Sequence, residues 1–187
     1  MVACCAEKTY AATTIADVVS RAAVSRTTFY KLFNDKRDCF DAAVTQCIDR
    51  IAATMNAATA GHDSPAEATR LGAVALLELL AAEPELALIL GGDVVGIDPQ
   101  LVERYSTLPV RALEAMWERA GSPPGKHLSP GLAFGRAQLL VFHEVAAGRP
   151  ERLPALVPDI VYLAIAPFAG HEEALREARL AGAKVAE

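Results

Sequence analysis

The sequence predicts an all-α protein, and three observations lead to that fold class. Ala and Leu dominate the 187 residues, and both are strong helix formers. Apolar residues recur at spacings of three and four, which is the period of a helix with one buried face. No run alternates apolar and polar residues as a half-buried strand would. With 52% hydrophobic and 22% charged residues, the chain can bury a core, and disorder is not expected.

The first helices are marked by their caps. In "TTIADVVSRA", Thr14 can cap a helix, and Asp17, three residues on, can accept hydrogen bonds from the free N–H groups of the first turn. The stretch "AAVS" is then a tight turn, and Ser25 caps a short second helix that ends near Phe33. A long helix follows "NDKRD", with Asn34 or Asp35 as its cap. Its apolar positions are Phe40, Val44, Ile48 and Ile51.

The remaining chain reads as five or six more helices. "AGHDSPAEA" is a linker, because Gly, Asp, Ser and Pro crowd together there. "GSPPGKHLSPG" and "GRPERLPALVP" are further breaks, and "DIVYLAIAPFAGHEEALREARLAGAKVAE" reads as helical. We expect a division into two parts, residues 1–50 and residues 51–187.

Charge supports two tasks in one chain. The net charge of −5 argues against a protein that coats nucleic acid with its whole surface. Residues 1–50 carry seven basic and six acidic side chains, so the excess acidity lies in the second part.

Several classes of function are not predicted. The four Cys residues have neither zinc-site nor disulfide-framework spacing, so neither a metal nor a cofactor is expected. No enzyme motif is present, since neighbouring His143 and Glu144 do not share a helix face and no Gly-rich phosphate loop or GxSxG occurs. The start of the chain does not read as a secretory signal, and the apolar runs are interrupted or short. We therefore expect a soluble, cytoplasmic protein with no membrane partner.

Two short helices joined by a tight turn, before a long helix, form the shape of a helix-turn-helix unit that enters a DNA groove. Val24, Phe29 and Phe33 can form the buried stripe of its second helix. Thr27 shares the other face with Tyr30 and Lys31, because these residues are three and four apart. Hydroxyl and ammonium groups suit phosphates, and Thr or Tyr can also touch base edges.

The stretch from Tyr10 to Val44, "YAATTIADVVSRAAVSRTTFYKLFNDKRDCFDAAV", resembles the DNA-binding domain of the TetR family of transcriptional repressors. The resemblance implies that residues at the helix starts and on the exposed face of the second helix contact the bases and phosphates of a double-stranded operator. These residues are Thr14, Ser25, Arg26, Thr27, Thr28, Tyr30, Lys31 and Lys36.

The chain departs from the family pattern at three positions. Thr9 stands where the family has Gly, Ala23 stands at a turn position where it favours Gly, and Leu32 replaces a usual His or Tyr. The turn at Ala23 must then adopt a positive φ at some cost. The helix before the motif is also short. These departures leave open an alternative, a dimeric ligand-binding module with weakened or lost DNA binding.

For the second part, the resemblance implies a helical domain that binds an effector and forms a homodimer. The helices within "PGLAFGRAQLLVFHEVAAG" and "DIVYLAIAPFAG" are the candidates for a four-helix dimer interface. A two-fold dimer implies a palindromic operator, and a small, largely apolar effector would release it. We expect the effector to contact Met55, Leu77, Leu80, Leu90, Tyr105, Leu113, Met116, Trp117 and Phe134.

Overall fold

The computed structural model describes residues 1–93, 107–125 and 128–185, and all regular structure in these ranges is helical. The all-α prediction is confirmed. The helices are α1 (Val2–Ala12), α2 (Ile15–Arg21), α3 (Arg26–Leu32), α4 (Lys36–Thr59), α5 (Pro65–Ala82), α6 (Pro84–Leu88), α7 (Leu108–Arg119), α8 (Pro130–Ala146) and α9 (Val157–Val185). A π-helical turn, Ile89–Asp93, continues α6, and a 3₁₀ turn, Pro150–Leu156, precedes α9.

The predicted caps of the first helices are confirmed. The Thr14 hydroxyl accepts a hydrogen bond from the Asp17 N–H, and the Asp17 carboxylate accepts one from the Thr14 N–H. Ser25 Oγ accepts from the Thr28 N–H at 3.0 Å. Of the two candidates for the third cap, Asp35 is the one that accepts from the Asp38 N–H. Each cap satisfies a backbone donor that the helix itself leaves free.

Two of the three departures from the family pattern coincide with positive φ angles. Ala23 has φ 53°, as expected for the turn between α2 and α3. Thr9 has φ 70° and ψ 159°, a combination that is almost restricted to glycine. Its conformation kinks α1 just before Tyr10.

Two clusters of buried side chains form the interior. The smaller cluster contains Val18, Val19 and Phe29 of the helix-turn-helix unit, with Cys4 and Cys39. The larger cluster lies among α4, α5, α6, α8 and α9 and also contains Cys5 and Cys47. Helices α1 and α4 therefore contribute to both clusters. The predicted division after residue 50 falls inside the continuous helix α4, and the boundary stays a prediction.

Helix α9 reverses direction at Gly170, within the stretch that the sequence predicted only to be helical. Gly170 has φ 80° and ψ −176°. A Cβ at Gly182 would lie 3.3 Å from the Pro158 side chain, although 24 residues separate the two along the chain. The Tyr162 hydroxyl likewise lies 3.0 Å from His171 Nδ1. Residues 157–169 and 171–185 thus form two antiparallel arms.

The stretch Pro150–Ala183 is long and apolar enough to cross a membrane when judged by length and composition. The reversal at Gly170 leaves arms of 13 and 15 residues, whereas a span needs about 20 residues. Val161, Ile165, Ala174 and Ala181 of these arms are fully buried in the core, which accounts for the apolar composition.

Two local predictions are wrong. Val24 is 41% exposed and does not belong to the buried stripe of α3, where Phe29 is buried and Phe33 half-buried. Val24 directly follows the left-handed Ala23 in the turn before α3. The linker is also shorter than its composition suggested, since Pro65 already stands in the first turn of α5, a position that proline tolerates.

Candidate DNA-binding and effector sites

The predicted recognition helix α3 presents most of its side chains to solvent. Phe29 alone is buried, and its ring makes an edge contact with Tyr30 and a tilted contact with Phe33, each at 5.4 Å between centroids. Six of the predicted DNA-binding residues lie on α3 or at its N-cap and are exposed, namely Ser25, Arg26, Thr27, Thr28, Tyr30 and Lys31. The structure brings these six together at one accessible helix, as a DNA contact requires.

The hydroxyls of Thr14 and Ser25 are engaged in the caps. Thr14 Oγ1 also lies 2.8 Å from Asp17 Oδ2, and Ser25 Oγ lies 2.9 Å from Thr28 Oγ1. Both residues stay exposed at a helix start, where backbone N–H groups favour a phosphate. Their predicted DNA contacts are not tested by these bonds.

Lys36 has a different environment from the one expected of a free phosphate ligand. Its Nζ donates to the carbonyl oxygens of Tyr10 and Thr13, each at 2.9 Å, and lies 4.2 Å from the centroid of the Tyr10 ring. The basic residue at the start of α4 is therefore explained by contacts within the chain. The predicted DNA contact of Lys36 stays a prediction.

The second candidate site is a cavity of about 710 Å³ in the larger part. Helices α4, α5, α7, α8 and α9 and the end of α6 line it. Seven of the predicted effector-contact residues are on its walls, namely Met55, Leu77, Leu80, Leu90, Leu113, Met116 and Phe134. Their contacts with an effector stay predictions.

One described residue among the predicted contacts does not fall on these walls. Trp117 is not a lining residue. It is buried and stacks on Phe168, which does line the cavity, with ring planes 6° apart. Leu113 and Met116 occupy the cavity-facing side of α7, and the Trp117 side chain extends from α7 towards α9 instead. Tyr105 lies outside the described residues.

Sequence reasoning missed the walls formed by Gly91, Phe142 and Phe168. A side chain at Gly91 would collide with the Phe142 ring, so the close approach of the π-helical turn to α8 requires a glycine. The two Phe residues carry the ordinary pattern of core positions, and only tertiary packing separates a cavity wall from a filled core.

Few of the described side chains on the cavity walls are polar. They are Asp49, Asn56, Thr59, Thr69, Arg119 and Gln138. The hydroxyls of Thr59 and Thr69 already donate to the carbonyls of Met55 and Pro65. Gln138 Nε2 is buried without a hydrogen-bond partner, as is Trp117 Nε1. Unpaired buried donors are costly, so this region has hydrogen-bonding capacity for a ligand.

Several titratable groups outside the cavity have shifted pKa values. The hydrogen bond from Lys8, together with those from Thr14, lowers the pKa of Asp17 well below its usual range. Arg149 lowers the pKa of Glu144 to about 2, and burial raises the pKa of the Cys47 thiol to about 11. Within the described ranges, no group of three or more His, Cys, Asp or Glu side chains could hold a metal ion.

Comparisons with known proteins agree with this architecture. Residues 2–43 match the family of bacterial regulatory proteins described as tetR family. The fatty acid degradation regulator FadR from Bacillus halodurans shares the fold, with a TM-score of 0.65 and 23% identity over 87% of this chain and 92% of that one. FadR from Bacillus subtilis, a transcriptional regulator solved in complex with stearoyl-CoA, has a TM-score of 0.67 and 20% identity over 90% and 94%. No curated protein sequence matches significantly.

Proposed function

We propose that the chain, whose residues 2–43 match the tetR family of bacterial regulatory proteins and whose fold is shared with two FadR regulators, is a TetR-family repressor that a small, largely apolar effector releases from DNA. The proposal includes a cytoplasmic homodimer and a palindromic operator. It assigns DNA contact to the exposed face of α3 and effector contact to the walls of the cavity.

Helix α4 is the observation that carries this proposal. It begins at Lys36, next to the helix-turn-helix unit, and its second half from Ile48 to Thr59 lines the cavity. A ligand that pushes on α4 therefore acts on an element shared with the DNA-binding part. Such a ligand releases DNA only if it binds better to the conformation with poor DNA affinity.

The cavity supports an effector with an apolar chain. Its volume of about 710 Å³ lies within the usual range for small-molecule sites. Aliphatic and aromatic side chains form most of its walls, and Leu77 and Leu90 at its surface are buried in the core. The stearoyl-CoA bound to the B. subtilis FadR supports a long acyl chain as the apolar part.

Exposed leucines on α8 support a dimer. Leu132 is 73% and Leu139 is 54% exposed, and they lie seven residues apart on one side of the helix. Large apolar side chains in such a row mark an interaction surface. A second copy of the chain is the proposed partner, and the resulting two-fold dimer would place two α3 helices about 34–36 Å apart on DNA.

The test is DNA binding measured by fluorescence anisotropy, with duplexes from the region flanking the protein's own gene. We expect one duplex to bind about a thousandfold or more tightly than a scrambled duplex of the same length. Hexadecanoyl-CoA should then weaken that binding. If no duplex exceeds non-specific binding at low salt, the repressor proposal fails.

Leu32 favours the alternative of a ligand-binding module with weakened DNA binding. This residue is 70% exposed on α3 and cannot donate a hydrogen bond to phosphate or base. The same anisotropy measurement distinguishes this alternative from the repressor, because the alternative predicts that the protein binds an effector but prefers no duplex. Leu32→His should then increase DNA affinity.

A further inference from the structure

We propose that the effector carries an oxygen-rich anionic head beside its apolar chain, and that Arg119 binds this head. The inference rests on the proposed effector function of the cavity and adds the chemistry of the ligand. It covers two kinds of head, a carboxylate and a phosphate-bearing CoA group joined to the chain through a thioester. Both present negatively charged oxygens.

Arg119 is the basic side chain on the described walls of the cavity. It is the last residue of α7 and follows the lining residue Met116 by three positions, so both lie on the same side of the helix. It is exposed, so it belongs to the rim of the cavity. In the described part of the chain it has neither an ion pair nor a hydrogen bond. A guanidinium offers five donors that suit carboxylate and phosphate oxygens.

Most other arginines of the described part already have carboxylate partners. Arg21 pairs with Glu7, Arg70 with Glu177 and Arg149 with Glu144. Arg119 therefore differs from the ordinary surface arginine of this chain, because it combines an unpaired charge with a place on the cavity wall.

Asp49 on α4 is the competing charge, since it is also exposed and lies on the cavity wall. A cationic head could bind there instead. The buried side-chain nitrogen of Gln138, which has no hydrogen-bond partner, favours the anionic head. Gln138 Nε2 is a donor, and a donor is satisfied by an acceptor oxygen, which an ammonium head lacks. Gln138 lines the cavity, so it can reorient its amide towards such an oxygen.

The experiment compares ligands of one chain length, namely hexadecanoate, hexadecan-1-ol, hexadecylamine and hexadecanoyl-CoA. Binding is followed below the micelle concentration by the fluorescence of Trp117, the one Trp of the chain, which stacks on the cavity-wall residue Phe168. We expect the carboxylate or the CoA ester to bind about tenfold more tightly than the alcohol, as for one hydrogen bond to a charged group. The tighter of the two anions identifies the source of the head.

Three variants assign the effect. Arg119→Gln should remove the tenfold preference and leave the affinity for hexadecan-1-ol unchanged. Arg179→Gln, an exposed arginine away from this cavity, should keep the preference, and Asp49→Asn should keep or increase it. Equal binding of alcohol and anion, tighter binding of the amine, or an unaltered preference in Arg119→Gln would overturn the inference.

The two proposals can fail separately. If the anions bind through Arg119 but leave the protein on its DNA, the head-group inference stands and the proposed release mechanism fails. If none of the four compounds binds, the inference is overturned, whereas selective DNA binding is measured without ligand and keeps its own outcome.

Discussion

The ammonium of Lys36 caps the end of α1 by binding Tyr10 in two ways. Its Nζ donates to the Tyr10 carbonyl at 2.9 Å and lies 4.2 Å from the centroid of the Tyr10 ring. The same nitrogen also donates to the Thr13 carbonyl. These contacts connect the start of α4 to the segment immediately after Thr9, and they help to hold Thr9 in its unfavourable conformation.

Replacing Lys36 tests whether its role is structural. Lys36→Met keeps an apolar stem but leaves the Tyr10 and Thr13 carbonyls without their donor, so we expect the free energy of unfolding to fall by about 2 kcal/mol. Denaturant unfolding measures the change. Lys31→Met, an exposed lysine on α3, is the control and should lower DNA affinity with unchanged stability. Loss of DNA affinity without loss of stability in Lys36→Met would instead assign Lys36 to a phosphate.

Thr9→Gly should stabilise the protein. The φ of 70° and ψ of 159° at Thr9 carry a strain of about 1–3 kcal/mol for a residue with a side chain. Glycine removes that strain but adds about 0.5–1 kcal/mol of unfolded-state entropy, so the net gain should be about 1 kcal/mol. Ala53→Gly, at an exposed position inside α4, should lose about 1 kcal/mol. Equal losses in both variants would contradict the strained conformation.

The ion pair between Arg70 and Glu177 should be sensitive to removal of one partner. Arg70 Nε donates to Glu177 Oε2 at 2.8 Å, and the Glu177 side chain is only 6% exposed. Glu177→Ala leaves a largely buried guanidinium, so we expect a loss of about 3 kcal/mol in unfolding free energy. The double variant Arg70→Met, Glu177→Leu should recover most of this loss, because an apolar pair has no charge to desolvate. A double variant as unstable as the single one would exclude this explanation.

Asp17 gives a dependence of stability on pH. Its pKa is lowered in the folded protein, first by the hydrogen bond from Lys8 and then by those from Thr14. Its contribution to stability is therefore complete above its unfolded pKa near 3.8 and is lost as the pH falls through the lower folded value. The stability difference between the wild type and Asp17→Asn should be constant from pH 7 to pH 5 and should shrink below pH 4. A difference that is unchanged at pH 2.5 would show that the carboxylate charge is not the cause.

The exposed leucines of α8 allow a test of the dimer. Leu132→Glu combined with Leu139→Glu places two charges on the proposed interface, so we expect a monomer by light scattering together with loss of operator binding. The matched variant Leu180→Glu changes an exposed leucine on the second arm of α9 and should leave the mass unchanged. Monomeric wild-type protein, or a dimer that resists both charges, would contradict this interface.

The sequence by itself determined the helical class, the N-caps Thr14 and Ser25 and the helix-turn-helix motif, and it reduced the third cap to Asn34 or Asp35. Such features depend on neighbouring residues, since a cap needs only Thr14 and Asp17 three positions apart, and a helix face needs only the correct period. It also indicated where Gly was missing, and the structure places positive φ angles at Thr9 and Ala23.

Tertiary structure alone decided the rest, because those features depend on residues far apart in the chain. The reversal of α9 is shown by the contact between Pro158 and Gly182. The inward position of Lys36 is shown by its hydrogen bond to the Tyr10 carbonyl. The cavity follows the same rule. Met116 and Trp117 are neighbours with similar apolar character, yet one lines the cavity and the other stacks behind Phe168. Helix packing sets that difference, and no local pattern encodes it.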